Sequence, residues 1–121
     1  MTLNILLVDD QNLSTLGMIL REDKGHTVEQ TFSGERAVGM VEGNDYDLIF
    51  MDNQMGPGLT GLETIKKIRE FNRDVPIYLH SADSFKQEQI EKAGATGYIR
   101  KTYDSYRDII KVVDEFDKQE D

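Results

Sequence analysis

The chain has 121 residues, no cysteine, and 23 acidic against 14 basic side chains, a formal charge of −9. This is the size of one domain, expected to run over residues 1–121 with a core that needs no staples, and without Cys it has no disulfides, zinc ribbon or thiol chemistry. The acidity argues against direct binding of nucleic acid or an anionic membrane, and the longest apolar runs, residues 5–8 and 48–51, are too short for a bilayer span or a signal-peptide core, so a soluble cytoplasmic protein is expected.

Two periodicities alternate along the chain. Residues 3–8 read as a first strand, whose continuous apolar run suits burial on both faces of a parallel sheet. Leu13, Leu16, Gly17 and Leu20 then form one stripe of a helix that Gly25 stops. Residues 27–32 are a second strand, and Ser33 caps a helix carrying Ala37, Val38 and Val41 that ends at Gly43. Residues 48–51 are the third strand, again apolar throughout, and Gly61, Leu62, Ile65 and Ile68 mark the third helix. A fourth strand at 77–79 precedes the weakest helix, capped by Ser84, with only Phe85, Ile90 and Ala93 apolar before Gly94 stops it. The fifth strand is 97–99, and the last helix has the clearest stripe: Tyr106, Ile109, Ile110, Val113 and Phe116. Residues 114–121 hold five acids against Lys118 alone, the pattern of a solvated, fraying helix end. No repeat or linker interrupts this order, and neither Pro57 nor Pro76 marks a boundary.

Five β-α units with buried strands predict an α/β fold of three layers: a doubly wound, five-stranded parallel sheet with helices on both faces. Five units are too few for an eightfold barrel. The expected order is 2-1-3-4-5, flavodoxin-like, with a ligand crevice at the carboxyl ends of strands 1 and 3.

That geometry gathers specific residues. Strand 1 runs into Asp9 and Asp10, strand 3 into Asp52, strand 4 through His80 into Ser81, and strand 5 into Arg100 and Lys101. Three carboxylates in one crevice repel, and a hard cation with oxygen ligands relieves the repulsion; Mg2+ suits such a site. Mg2+ beside a lysine and a serine is suited to a phosphoryl group, with Asp52, central in the sheet, as the nucleophile. Acidic residues after strand 1 disfavour a permanent phosphate ligand such as FMN. A Mg2+-dependent phosphatase using Asp52 is the alternative. Gln54 stands where such an enzyme would place its proton-shuttling acid, which favours an acyl phosphate that persists.

Five stretches carry a resemblance: residues 5–10 (ILLVDD), 47–52 (DLIFMD) with Gln54 and Met55, 61–63 (GLE), Ser81 with Ala82, and 97–101 (GYIRK). In this order they resemble the receiver domain of two-component response regulators, over essentially the whole chain. The resemblance implies that Asp52 takes a phosphoryl group from a phosphohistidine of a histidine kinase or histidine phosphotransfer domain. It implies that Asp10 holds Mg2+ directly, Asp9 through water, and Gln54 by its backbone carbonyl. Lys101 would contact the phosphoryl group, Ser81 would bond one of its oxygens, and Tyr98 would turn inward behind Ser81. Gln54 and Asp83 would tune dephosphorylation. The expected outcome is a phosphorylation switch, not an enzyme, that remodels the helix 4–strand 5–helix 5 face for an output partner or domain the sequence does not name.

Three departures from the family pattern carry expectations of their own. Residues 55–61 (MGPGLTG) are one residue longer than usual and place glycines on both sides of Pro57, which predicts a rebuilt, mobile loop. Thr60 replaces the usual Asp but can still cap the third helix. Thr102 follows Lys101 in place of the usual proline; a cis bond there would cost about 3 kcal/mol, so a trans peptide and an altered loop are expected. His80 reads as a packed strand residue and His26 as a surface turn residue.

Overall fold

The structure, a computed structural model, describes residues 2–119. The elements are β1 (Asn4–Val8), α1 (Ser14–Met18), β2 (Thr27–Thr31), α2 (Gly34–Gly43), β3 (Leu48–Met51), α3 (Gly61–Arg69), β4 (Ile77–Ser81), α4 (Gln87–Ala93), β5 (Gly97–Arg100) and α5 (Ser105–Gln119). All pairings are parallel, and the sheet order is β2-β1-β3-β4-β5, as the alternation predicts.

The period-two alternation of each buried strand divides the core into two layers. Leu6 and Val8 of β1, Ile49 and Met51 of β3, and Ile77 and Leu79 of β4 face α2, α3 and α4, packing on Ala37, Val41, Ile65, Ile68 and Ala93. Ile5 and Leu7 of β1, Leu48 and Phe50 of β3, and Ile99 of β5 face α1 and α5, packing on Leu16, Leu20, Ile109 and Val113. A continuous apolar run is thus two half-runs, each serving one layer. Leu16, Ile65, Ile109 and Val113 lose all solvent contact. At about 25 cal/mol per Å2 each such side chain contributes roughly 2 kcal/mol, which anchors the strand ends where the polar residues gather.

Local signals mostly act as expected. Ser33 accepts from Arg36 N at 3.2 Å, and Thr60 forms a full capping box with Glu63. Gly25 and Gly94 are left-handed, at φ 76° and 89°. Four details differ. The first helix continues from Met18 into a π-helical turn (Ile19–Asp23) closed by Lys24 N to Ile19 O at 3.2 Å; there Arg21 donates to Val28 O at 2.7 Å, tying the turn to β2. Gly43 is the last residue of α2, and the cap beyond it is Asn44 in an extended conformation. Ser84 does not cap α4: the helix starts at Gln87, after Gln89 Oε1 accepts from Lys86 N at 2.9 Å. His26 is not at the surface; it is buried, and its Nδ1 accepts from Leu3 N at 3.1 Å, completing the start of β1.

The acidic end is helical as far as Gln119, with Asp114 paired to Lys24 at 3.2 Å, while Glu120 and Asp121 lie outside the described residues. The 55–61 loop is rebuilt as expected, with Gly56 and Gly58 both left-handed, but it is anchored: Leu59 N donates to the Glu35 carboxylate of α2 at 3.1 Å. No peptide bond among the described residues is cis, Lys101–Thr102 included.

Candidate functional site

The sheet ladder continues one residue beyond three strands, and each extra bond fixes a site residue. Asp9 N donates to Thr31 O at 3.0 Å, Asp52 N to Val8 O at 2.8 Å, and Lys101 N to Ser81 O at 2.8 Å. The backbone of each is therefore as rigid as the sheet. Carboxylate oxygens of Asp9, Asp10 and Asp52 come within 4.8 Å of one another, with Asp9 and Asp52 buried and Asp10 exposed. Lys101 Nζ lies 2.9 Å from Asp9 Oδ2 and 3.4 Å from Asp52 Oδ1. A cavity of about 310 Å3 opens beside them, lined by Asp10, Asp52, Gln54, Ser81, Asp83 and Lys101 among others.

Electrostatics follow from this packing. Burial pushes the Asp52 carboxyl up to about 6, helped by the charge of Asp9 and opposed by Lys101 and the Asn53 N–H. Burial works against the Lys101 ammonium, but the Asp9 and Asp52 carboxylates outweigh it and hold its pKa above the ordinary lysine value. Asp9 Oδ2 has no hydrogen-bond partner beyond its contact with that ammonium, although it is buried. A nearly dry, under-coordinated carboxylate oxygen beside two more carboxylates is an all-oxygen donor set, and it fits a hard divalent cation.

Ser81 lines the same cavity, and Tyr98 of β5 reaches the loop that follows it. Ser81 is buried, and its Oγ accepts from Asp83 N at 3.0 Å. The Tyr98 hydroxyl donates into the β4–α4 loop, 2.5 Å from Asp83 O and 3.1 Å from Ser81 O, with its ring edge-on to Phe85. Asp9, Asp10, Asp52, Ser81 and Lys101 therefore share one edge of the sheet, as the topology predicts, and Gln54 is exposed at its rim.

Sequence reasoning passed over two participants. Asn53 is buried directly after Asp52 and bonds Leu62 N and Asp83. Ser105, the first residue of α5, meets His80 Nε2 at 3.0 Å; both are buried, and the pair ties β4 to α5 behind Lys101. A polar residue directly after a strand-end Asp is the one signal that marked Asn53; nothing local marked Ser105.

His80 supplies a pH prediction. Burial, reinforced by the Lys101 charge, lowers its pKa to about 4. The unfolded chain then binds a proton that the folded chain refuses, so stability present above the ordinary histidine pKa of about 6.5 is lost as pH falls toward 4. The full loss is on the order of 3 kcal/mol. Urea titrations at pH 7.5 and 4.5 check this: His80→Gln flattens the acid decline, and an unchanged slope would remove His80 as its cause.

A parallel sheet of this order with an acidic, lysine-bridged crevice at the carboxyl ends of its strands defines a doubly wound α/β protein. Residues 5–114 match the family described as the response regulator receiver domain. The response regulator UvrY of Escherichia coli K12 is 37% identical over 105 residues, covering 82% of this chain and 47% of UvrY. Among solved structures, the receiver domain protein of Methanospirillum hungatei aligns with a TM-score of 0.83 at 24% identity, over 99% of this chain and 98% of that one. The response regulator TrrA of Thermotoga maritima, solved in complex with Mg2+-BeF, aligns at 0.77 and 27% identity, over 96% and 99%. The chain belongs to the response regulator receiver domain family, the phosphoacceptor signalling switches of two-component systems. It spans about half the length of the curated relatives it matches.

Proposed function

We propose that Asp52 is the phosphoacceptor of this receiver, with the convergence of Asp9, Asp10 and Asp52 on the Lys101 ammonium as the observation that carries the reading. Asp52 Oδ1 is engaged by Asn53 N and Lys101, which leaves Oδ2 to attack. That oxygen attacks the phosphorus of a phosphohistidine, an O–P bond forms, and the P–N bond breaks toward the donor's imidazole. Lys101 neutralises charge on the transferring group, and the Ser81 hydroxyl donates to one of its oxygens. Asp9, Asp10, Asp52 and the Gln54 carbonyl would hold Mg2+, which supplies positive charge to the phosphoryl oxygens. Asp83 and Gln54, at the rim, control access of water to the acyl phosphate.

The donor is a histidine kinase or histidine phosphotransfer domain in the cytoplasm. The output is a change at the α4–β5–α5 face, where Ser81 and Tyr98 meet, read by a partner or by further domain sequence. No helix among the described residues is long and apolar enough to cross a membrane. The same residues would serve a phosphatase, but Gln54 has no proton to shuttle, so turnover on an exogenous phosphoester is expected to be absent.

Acetyl phosphate with Mg2+ tests the proposal, read by intact mass and by amide NMR shifts, since the chain has no Trp to quench. Wild type is expected to gain one phosphoryl group and Asp52→Asn none. Equal gain by Asp52→Asn would sink the assignment.

A further inference from the structure

Every polar group of Asn53 is in use. Its N–H donates to Asp52 Oδ1 at 2.8 Å, and its carbonyl accepts from Gly61 N at 2.9 Å. Its Oδ1 accepts from Leu62 N and its Nδ2 donates to Asp83 Oδ2, both at 3.1 Å. The partners fix the amide's orientation, because a backbone N–H only donates and a carboxylate only accepts. Asp83 is an equally connected residue on the facing loop. Its N–H holds Ser81 Oγ, its carbonyl receives the Tyr98 hydroxyl, and its carboxylate is held by Asn53. The Asn53–Asp83 bond therefore joins the loop that carries Asp52 to the loop that anchors Tyr98.

We infer that Asn53 is a positioning residue: through Asp83 it holds the β4–α4 loop, and with it the Ser81 Oγ and Tyr98 hydroxyl contacts, in one arrangement against the loop of Asp52 before any phosphoryl group arrives. The inference rests on Asp52 being the phosphoacceptor. A phosphoryl group binds a protein in proportion to the fraction of molecules already in the receptive arrangement, so holding that arrangement raises apparent affinity. The bond is charge-assisted, and Asn53 is only 5% exposed, so water cannot replace a lost partner at no cost.

The test titrates Mg2+ and beryllofluoride into the full chain, followed by amide NMR shifts and by nuclear Overhauser contacts between the Phe85 and Tyr98 rings. Asp83→Asn keeps an acceptor for Asn53, whereas Asp83→Val removes it, and both remove the same charge. Beryllofluoride affinity is expected to be about fivefold lower in Asp83→Val than in Asp83→Asn, the charge lost being common to both. The Phe85–Tyr98 contacts of the ligand-free protein weaken only in Asp83→Val. Asn53→Ala also exposes Leu62 N, so it is read through the cycle with Asp83→Val, where the double variant should be no weaker than the worse single one. Equal affinities for Asp83→Val and Asp83→Asn, or losses that multiply in the double variant, overturn the coupling alone. A wild type that gives no shifts with beryllofluoride overturns the phosphoacceptor assignment, and the inference with it.

Discussion

Lys101→Met will destabilise the metal-free protein by about 3 kcal/mol at pH 8, and Mg2+ will recover much of that loss. The ammonium sits 2.9 Å from Asp9 and 3.4 Å from Asp52, and the Asp9 side chain is only 1% exposed. Its removal leaves two buried carboxylates facing each other with no compensating charge. The pH dependence has a definite sign. Asp52 already has a folded pKa of about 6 against 3.8 in the unfolded chain, so the folded state keeps a proton the unfolded state releases. The contribution of Asp52 to stability falls as pH rises through that window, opposite in sign to that of His80, and without Lys101 the fall deepens and extends to higher pH. Urea titrations at pH 5 and 8, with and without Mg2+, measure this. Equal stability of variant and wild type at pH 8, or equal stabilisation of both by Mg2+, would rule out the electrostatic account. Phosphorylation by acetyl phosphate should slow by about 100-fold or more in the same variant, because a preorganised charge on the transferring group is lost.

Gly61→Ala should cost about 2 kcal/mol and strongly impair phosphorylation, although Gly61 touches no ligand. A Cβ there would lie 2.1 Å from the Asp52 carbonyl oxygen and 2.9 Å from Asn53 Cα, all backbone that cannot swing away. Gly61 N also donates to Asn53 O at 2.9 Å, so α3 must back off from the very peptide that aims Asp52. Gly39→Ala is the control: nothing lies within 4 Å of its Cβ position, and Ala gains about 0.8 kcal/mol over Gly in a helix interior. Thermal melts and acetyl-phosphate labelling of both variants separate the effects. A Gly61→Ala protein as stable and as readily labelled as wild type would show that the α3–Asp52 contact carries no strain.

Much of the fold was legible because it rests on short-range patterns. β3 runs over the residues its apolar run predicts, Leu48–Met51, and the other strands differ by one or two residues at an end. The five site positions at strand ends followed from topology, since a doubly wound parallel sheet sends every carboxyl end to one edge. The misreadings have a common cause. His26 looked like a turn residue beside Gly25, but its neighbour is Leu3, at the start of the adjacent strand and 23 residues away in sequence. Ser84 had the right chemistry for a cap, yet Gln89 satisfies the backbone at Lys86 and the helix starts later. The 55–61 loop looked free because its glycines suggest freedom, and Glu35 of a different helix holds it.

The charge of −9 shows where that division falls. Composition and strand order by themselves determined that the protein is acidic, parallel and doubly wound, and that Asp9, Asp10 and Asp52 share one edge with Lys101. Those features depend on residue types and on alternation along the chain, and both are local. Only the tertiary structure decided what each charge feels: how dry Asp9 and Asp52 are, how close Lys101 comes, and that Asn53 and Asp83 bond across two loops 30 residues apart. Desolvation and hydrogen-bond angle depend on neighbours brought in from distant sequence. The pKa of the proposed phosphoacceptor and the resting position of its switch were therefore not in the sequence to be read.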